Sequence, residues 1–82
     1  MTPEPKRWTD TLPEDVYARL CNCRSRKSDI LPLAQARWNY IRGRAHREKE
    51  DALVSTLELL DENGCEFALT CEEYDSILTQ IH

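Results

Sequence analysis

The sequence predicts an all-α domain of three or four helices, with a long central helix, straight or bent, and a short extended segment before the last helix. Three observations carry this. Apolar residues recur at helical i, i+3, i+4 spacing. Two Thr-x-x-Glu sequences, Thr11 to Glu14 and Thr70 to Glu73, have the form of capping boxes, which mark helix starts. The chain holds only 2 glycines and 4 prolines, none of the prolines after Pro32, so long stretches carry no helix breaker.

Residues 1–10 read as an arm preceding a helical body at 11–82, the whole being one domain. Pro3 and Pro5 disfavour regular structure there. Trp8 is the arm's only large apolar group, expected to dock on the body rather than stand free as an anchor for a partner. The first helix is predicted over 12–25, capped by Thr11 and Glu14, with Pro13 tolerated in the first turn. Val16, Tyr17, Leu20 and Cys21 form its apolar stripe, and Arg24 and Arg26 lie at its end.

Ser28 to Leu31 reads as a turn, because a residue before proline is pushed out of the helical region. The second helix then starts at Pro32, a favoured first position, and its pattern runs to Asp61, where Asn63-Gly64 supplies a stop. Thirty residues of helix would span about 45 Å, whereas a domain of this size is only about 30 Å across. The stripe also has a gap. Ala34, Trp38, Ile41 and Ala45 form one half, and Ala52, Leu53, Thr56, Leu57 and Leu60 the other. Between them His46 to Asp51 is wholly polar. A break or bend near Gly43 is therefore favoured over a continuous helix bridging solvent. A continuous helix would leave Leu57, Leu59 and Leu60 poorly covered and favour a homodimer.

Cys65 to Leu69 reads as an extended segment with Phe67 and Leu69 on one side. The last helix is predicted over 71–81. Thr70 and Glu73 cap it, Leu69 and Tyr74 sit at the staple positions, and Tyr74, Ile77, Leu78 and Ile81 make its apolar face.

With 40% hydrophobic residues, 82 residues suffice for one small core and leave little for a deep substrate pocket. The first ten residues lack the apolar run of a secretory signal, and no stretch approaches the about 20 apolar residues that span a bilayer. A cytoplasmic protein with reduced thiols and no membrane contact is expected.

The net charge of −4 conceals a segregation. Residues 18–49 carry 9 Lys and Arg against Asp29 and Glu48, whereas residues 50–82 carry 9 carboxylates and no Lys or Arg. Two binding surfaces follow. The acidic candidates are Glu58, Asp61, Glu62, Glu72 and Asp75. Such a face can imitate a phosphate backbone and steer association with a cationic protein, although solvated acidic surface is the commoner cause of such a run. The basic alternative is Arg37, Arg42, Arg44 and Arg47, with Trp38 and Tyr40 among them. Arginines interleaved with aromatics suit nucleic-acid contact, while a solvated face or one paired internally with the acidic third explains them without a ligand.

No catalytic site, cofactor or metal site is predicted. Cys21 and Cys23 diverge on a helix, and Cys65 and Cys71 are too widely spaced for a zinc pair, so buried or bystander cysteines are favoured over zinc or disulfide roles. His46 and His82 have no telling neighbours, and no phosphate-binding glycine loop is present. Asp61-Glu62-Asn63-Gly64 is a helix stop, since the later ligands of a calcium loop are missing.

The stretch Gly64-Cys65-Glu66-Phe67-Ala68-Leu69-Thr70-Cys71-Glu72-Glu73-Tyr74 resembles a Gly-x-x-Phe-x-Leu-Thr-x-Glu-Glu element of small phage proteins, where a short strand precedes a capped helix, often beside an HNH nuclease domain. The match covers about 11 residues, and the nuclease's His-Asn-His constellation is absent. The resemblance implies a phage or prophage protein and, by analogy with anti-CRISPR proteins, an inhibitor that binds rather than catalyses. The sequence thus points to a non-enzymatic binding protein that inhibits or modulates a host protein, such as one handling nucleic acid. A nucleic-acid-binding transcriptional regulator using residues 37–49 is the alternative.

Overall fold

A computed structural model describes residues 7–42 and 48–82, and every regular element among them is helical. The order is a 3-10 turn at Trp8–Thr11, α1 at Glu14–Cys21, a second 3-10 turn at Lys27–Asp29, α2 at Ile30–Ile41, α3 at Lys49–Glu62 and α4 at Cys71–Gln80. No helix among the described residues is long and apolar enough to cross a membrane.

The first helix is shorter than predicted at both ends. Thr11 closes the preceding 3-10 turn, its hydroxyl donating to the Trp8 carbonyl at 2.7 Å, so it does not cap α1, and Pro13 stands at the N-cap instead. The described part of the arm is therefore a turn, and its Trp8 packs against the core as expected. At the other end the Arg24 amide donates to the Arg19 carbonyl at 2.8 Å and the Cys23 amide to that of Leu20 at 3.2 Å. This is a Schellman stop, which needs a left-handed residue, and Cys23 supplies it at φ 55°. Arg24 and Arg26 consequently lie beyond the helix. Of the predicted stripe, Val16 and Leu20 are buried, whereas Tyr17 and Cys21 are exposed.

The same device ends α3. The Cys65 amide donates to Leu60 at 2.7 Å and the Gly64 amide to Asp61 at 2.9 Å, with Gly64 at φ 82°. An asparagine precedes the left-handed residue in both helices, and each folds its amide back one turn: Asn22 onto Ala18 and Asn63 onto Leu59, both at 2.8 Å. Leu60 and Cys65, the two ends of the α3 motif, are both buried in the core.

The central segment is two helices, not one. Gly43, where the bend was expected, Ala45, Arg44, His46 and Arg47 fall outside the described residues. Helix α2 begins at Ile30, two residues before Pro32, so Leu31 is helical despite its proline neighbour. The turn at Lys27–Asp29 already points the backbone into helix, and Pro32 still lies in the first turn, where its missing N–H breaks no helical bond. Because α3 is a separate helix, the overhang that favoured a homodimer does not arise. Leu60 is fully buried, and Leu57 and Leu59 pack against the core.

Helix α2 is the hub, packing on α3, α4 and both 3-10 turns. Its Ile30, Leu33, Ala34, Trp38 and Ile41 meet Ala52, Leu53 and Leu60 of α3, Val16 and Leu20 of α1, and Ile81. The Thr56 hydroxyl, fully buried, donates to the Ala52 carbonyl at 2.7 Å and so needs no partner outside its own helix. Residues 65–70 join α3 to α4 without helix, and Phe67 and Leu69 pack inward. Helix α4 carries the predicted box in full: the Glu73 amide donates to the Thr70 hydroxyl at 3.1 Å, and the Thr70 amide to the Glu73 carboxylate at 3.2 Å. Its C-cap, Ile81, is completely buried, and the Gln35 amide side chain donates to the Gln80 carbonyl at 3.2 Å, fastening that end to α2.

Candidate protein-binding surface

Helix α3 buries Ala52, Leu53, Thr56 and Leu60 and turns Asp51, Val54, Glu58, Asp61 and Glu62 outward. The i, i+3, i+4 spacing of Glu58, Asp61 and Glu62 places these three carboxylates side by side on one face. Val54, 38% exposed, is an apolar group on the same face. Glu72 and Asp75 occupy the outer face of α4, opposite the half-buried Tyr74, Ile77 and Leu78. The structure thus gathers three of the five acidic candidates on one helix and sets the other two on the next.

Four ion pairs occur among the described residues: Arg7 with Asp10, Arg19 with Asp15 and with Asp29, and Lys27 with Glu73. Three of them lie within the first 29 residues. Of these four, only Lys27–Glu73, at 3.6 Å, joins described residues of the basic segment and the acidic third. All five acidic candidates are exposed, and none forms an ion pair with a described residue. Asp61 and Glu62 also stand in the last turn of α3, which contains no basic residue. There the helix dipole disfavours anions.

Two acidic residues serve the fold instead. Glu73 accepts from the Thr70 backbone N–H, and that bond, opposed by desolvation and helped by the nearby Lys27 charge and the Thr70 hydroxyl, holds its carboxyl below the ordinary carboxylate value. Glu50 accepts from the Tyr74 hydroxyl at 3.3 Å, and burial, then the Glu50 and Asp75 charges, push the Tyr74 phenol up.

Of the four basic candidates, Arg37 and Arg42 are among the described residues. Arg37 is half-buried with its guanidinium carbon 5.1 Å from the centre of the Trp8 ring, and Arg42 is exposed beyond α2. Arg44 and Arg47 lie outside the described residues. No three His, Cys, Asp or Glu side chains among the described residues gather to hold a metal ion. Cys21, Cys23 and Cys71 are free and exposed, and Cys65 is free and buried.

A groove of about 500 Å³, unforeseen from the sequence, lies where the Trp8 turn, α1, α2 and the end of α3 converge. Trp8, Tyr17, Tyr40 and Leu59 line it, together with Arg7 and Arg37. Its residues come from four separate elements, so no local pattern announces it. Comparison with protein-family models, curated proteins and solved structures finds no match.

Proposed function

We propose that the protein is a non-enzymatic binding protein that docks the carboxylate face of α3 on a cationic surface of a partner protein. The supporting observation is the placement of Glu58, Asp61 and Glu62: adjacent, exposed, without an ion-pair partner among the described residues, and two of them at a helix end where they cost stability. Like charges at this spacing repel by about 0.2–0.5 kcal/mol per pair in isolated helices. A face that lowers the stability of its own helix is accounted for by a cationic partner that neutralises it. A cationic groove that normally holds phosphates fits this chemistry, so the partner class is a nucleic-acid-handling protein and the role is inhibition or modulation, in line with the phage-type resemblance of residues 64–74.

Nucleic-acid binding through residues 37–49 has less support, because Arg37 is stacked on Trp8 rather than presented outward. The deciding experiment is capture from an extract of the source cell with the wild type and with Glu58→Lys/Asp61→Lys/Glu62→Lys, beside Glu14→Lys as an acidic-to-basic change on α1. A partner held at low salt, released as salt rises, lost by the triple variant and kept by Glu14→Lys is the expected result. Equal capture by all three proteins, or a mobility shift of DNA or RNA by the wild type at low salt, would overturn the reading.

A further inference from the structure

The groove beneath Trp8 differs in character from the α3 face. Its walls are aromatic and aliphatic, contributed by Trp8, Tyr17, Leu20, Tyr40 and Leu59. Its charged lining residues are Arg7 and Arg37, and no carboxylate lines it. In a chain with 15 Asp and Glu against 11 Lys and Arg, a concavity with only cationic charge is a local inversion. Its volume of about 500 Å³ lies within the range of small-molecule sites, about 300–1,000 Å³.

Arg37 gives the groove its chemical character. Its guanidinium lies over the Trp8 ring, its carbon 5.1 Å from the ring centre, a contact that restrains the fork. Its Nε is buried without a hydrogen-bond partner, so the charge has lost hydration on that side without gaining an acceptor in return. Arg7, by contrast, is exposed and already paired with Asp10 at 3.6 Å. A half-buried, pre-oriented guanidinium is the side chain best suited to bind a carboxylate or phosphate, through the terminal nitrogens left to it. Tyr17, 39% exposed, offers the ring of a planar ligand an aromatic wall.

We infer that this groove binds a small planar aromatic anion, its carboxylate or phosphate on Arg37 and its ring against Tyr17. Anion and ring are both required, because the groove supplies one cationic anchor and otherwise mainly apolar and aromatic wall. None of Glu58, Asp61 and Glu62 lines the groove, although Arg37 also borders a neighbouring concavity that Asp51 and Glu58 line.

The test is a titration of the ¹⁵N-labelled protein followed by amide and arginine side-chain spectra, with benzoate and adenosine monophosphate as anionic probes and benzamide and adenosine as neutral counterparts. Saturable shifts are expected at the Arg37 Nε–H, the Trp8 indole N–H and the Cys21 and Asn63 amides, with affinity for the neutral probes lower by about tenfold or more. Saturation by benzoate alone assigns a carboxylate ligand, and by adenosine monophosphate alone a phosphate ligand. Arg37→Met should weaken binding by a similar factor, and Tyr17→Ala, which alters an exposed ring, should weaken it while the fold persists. Should Arg37→Met unfold, the neutral probes and Tyr17→Ala carry the test. Shifts that do not saturate with either anion, or equal affinity for charged and neutral probes, would overturn the inference.

Discussion

Arg19 on α1 and Asp29 at the entrance to α2 form an ion pair that joins two helices across a turn. Arg19 Nη1 donates to Asp29 Oδ1 at 2.5 Å, and the Asp29 side chain is only 3% exposed. Its second oxygen accepts from the Arg26 amide at 2.7 Å, while Arg19 reaches back to Asp15 at 2.6 Å. One buried carboxylate therefore closes the connection between α1 and α2. Arg19→Met would leave that carboxylate buried with a backbone N–H as its remaining partner. The expected loss is about 2–3 kcal/mol, smaller than for a fully enclosed pair because Arg19 is partly solvated. Asp15→Ala should cost less than about 1 kcal/mol, since its side chain is 66% exposed. Urea unfolding of the two variants reads the difference, and equal effects would contradict the assigned role of Asp29.

The paired helix stops of α1 and α3 make opposite predictions for one conformational reason. Cys23 occupies a left-handed position that costs an ordinary L residue about 1 kcal/mol, and Cys23→Gly should stabilise by about 0.5–1 kcal/mol. Gly64→Ala should destabilise by about 1 kcal/mol through φ alone, because a Cβ there would meet nothing within 4 Å. Thermal unfolding of both variants checks the pair of signs.

Glu73 supplies a pH dependence. Its carboxyl is held below the ordinary value in the folded protein by the Thr70 backbone N–H. Its contribution is therefore complete above the unfolded value of about 4.5 and is lost as pH falls through the lower folded value. Glu73→Gln should flatten stability against pH on the acid side and leave the slope above pH 6 unchanged. Thr70→Ala, which removes the other half of the box, should cost about 1 kcal/mol at neutral pH. Unfolding curves between pH 3 and 7 separate the two effects, and an unaltered acid limb in Glu73→Gln would refute the assignment.

Asp61 and Glu62 should behave as a functional compromise. Asp61→Asn and Glu62→Gln are each expected to raise stability by about 0.3–1 kcal/mol at low salt, because each removes an anion from the negative end of α3 and a repulsion with Glu58. The gain should shrink as salt is added, and the same variants should hold the captured partner less tightly. A loss of stability in either variant would show that these carboxylates serve the fold.

Local chemistry written in consecutive residues was legible in the sequence. The box of Thr70 and Glu73, the apolar face of α4 and the stop at Asn63-Gly64 depend only on neighbours within a few positions, so the sequence predicts them nearly to the residue. The polar gap between the two halves of the central pattern likewise signalled that the long helix divides, although Lys49, Glu50 and Asp51 of that gap belong to α3. The charge segregation was equally plain, because it is a property of the chain before it folds.

What lay beyond the sequence were choices between competing local solutions that distant contacts settle. Thr11 could cap α1 or close the Trp8 turn, and docking of Trp8 against the core favours the turn. Leu31 precedes a proline yet is helical, and the turn at Lys27–Asp29, joined to α1 through Asp29 and Arg19, leads the chain into α2 at Ile30. Cys23 takes a glycine-like conformation that no feature of its side chain foretells. The sequence by itself determined which helices form and where the charge resides. Tertiary packing decided where they begin, and only it brought Trp8 and Arg37, 29 positions apart, to one groove, because such a meeting depends on the burial of α2 among its neighbours rather than on any spacing along the chain.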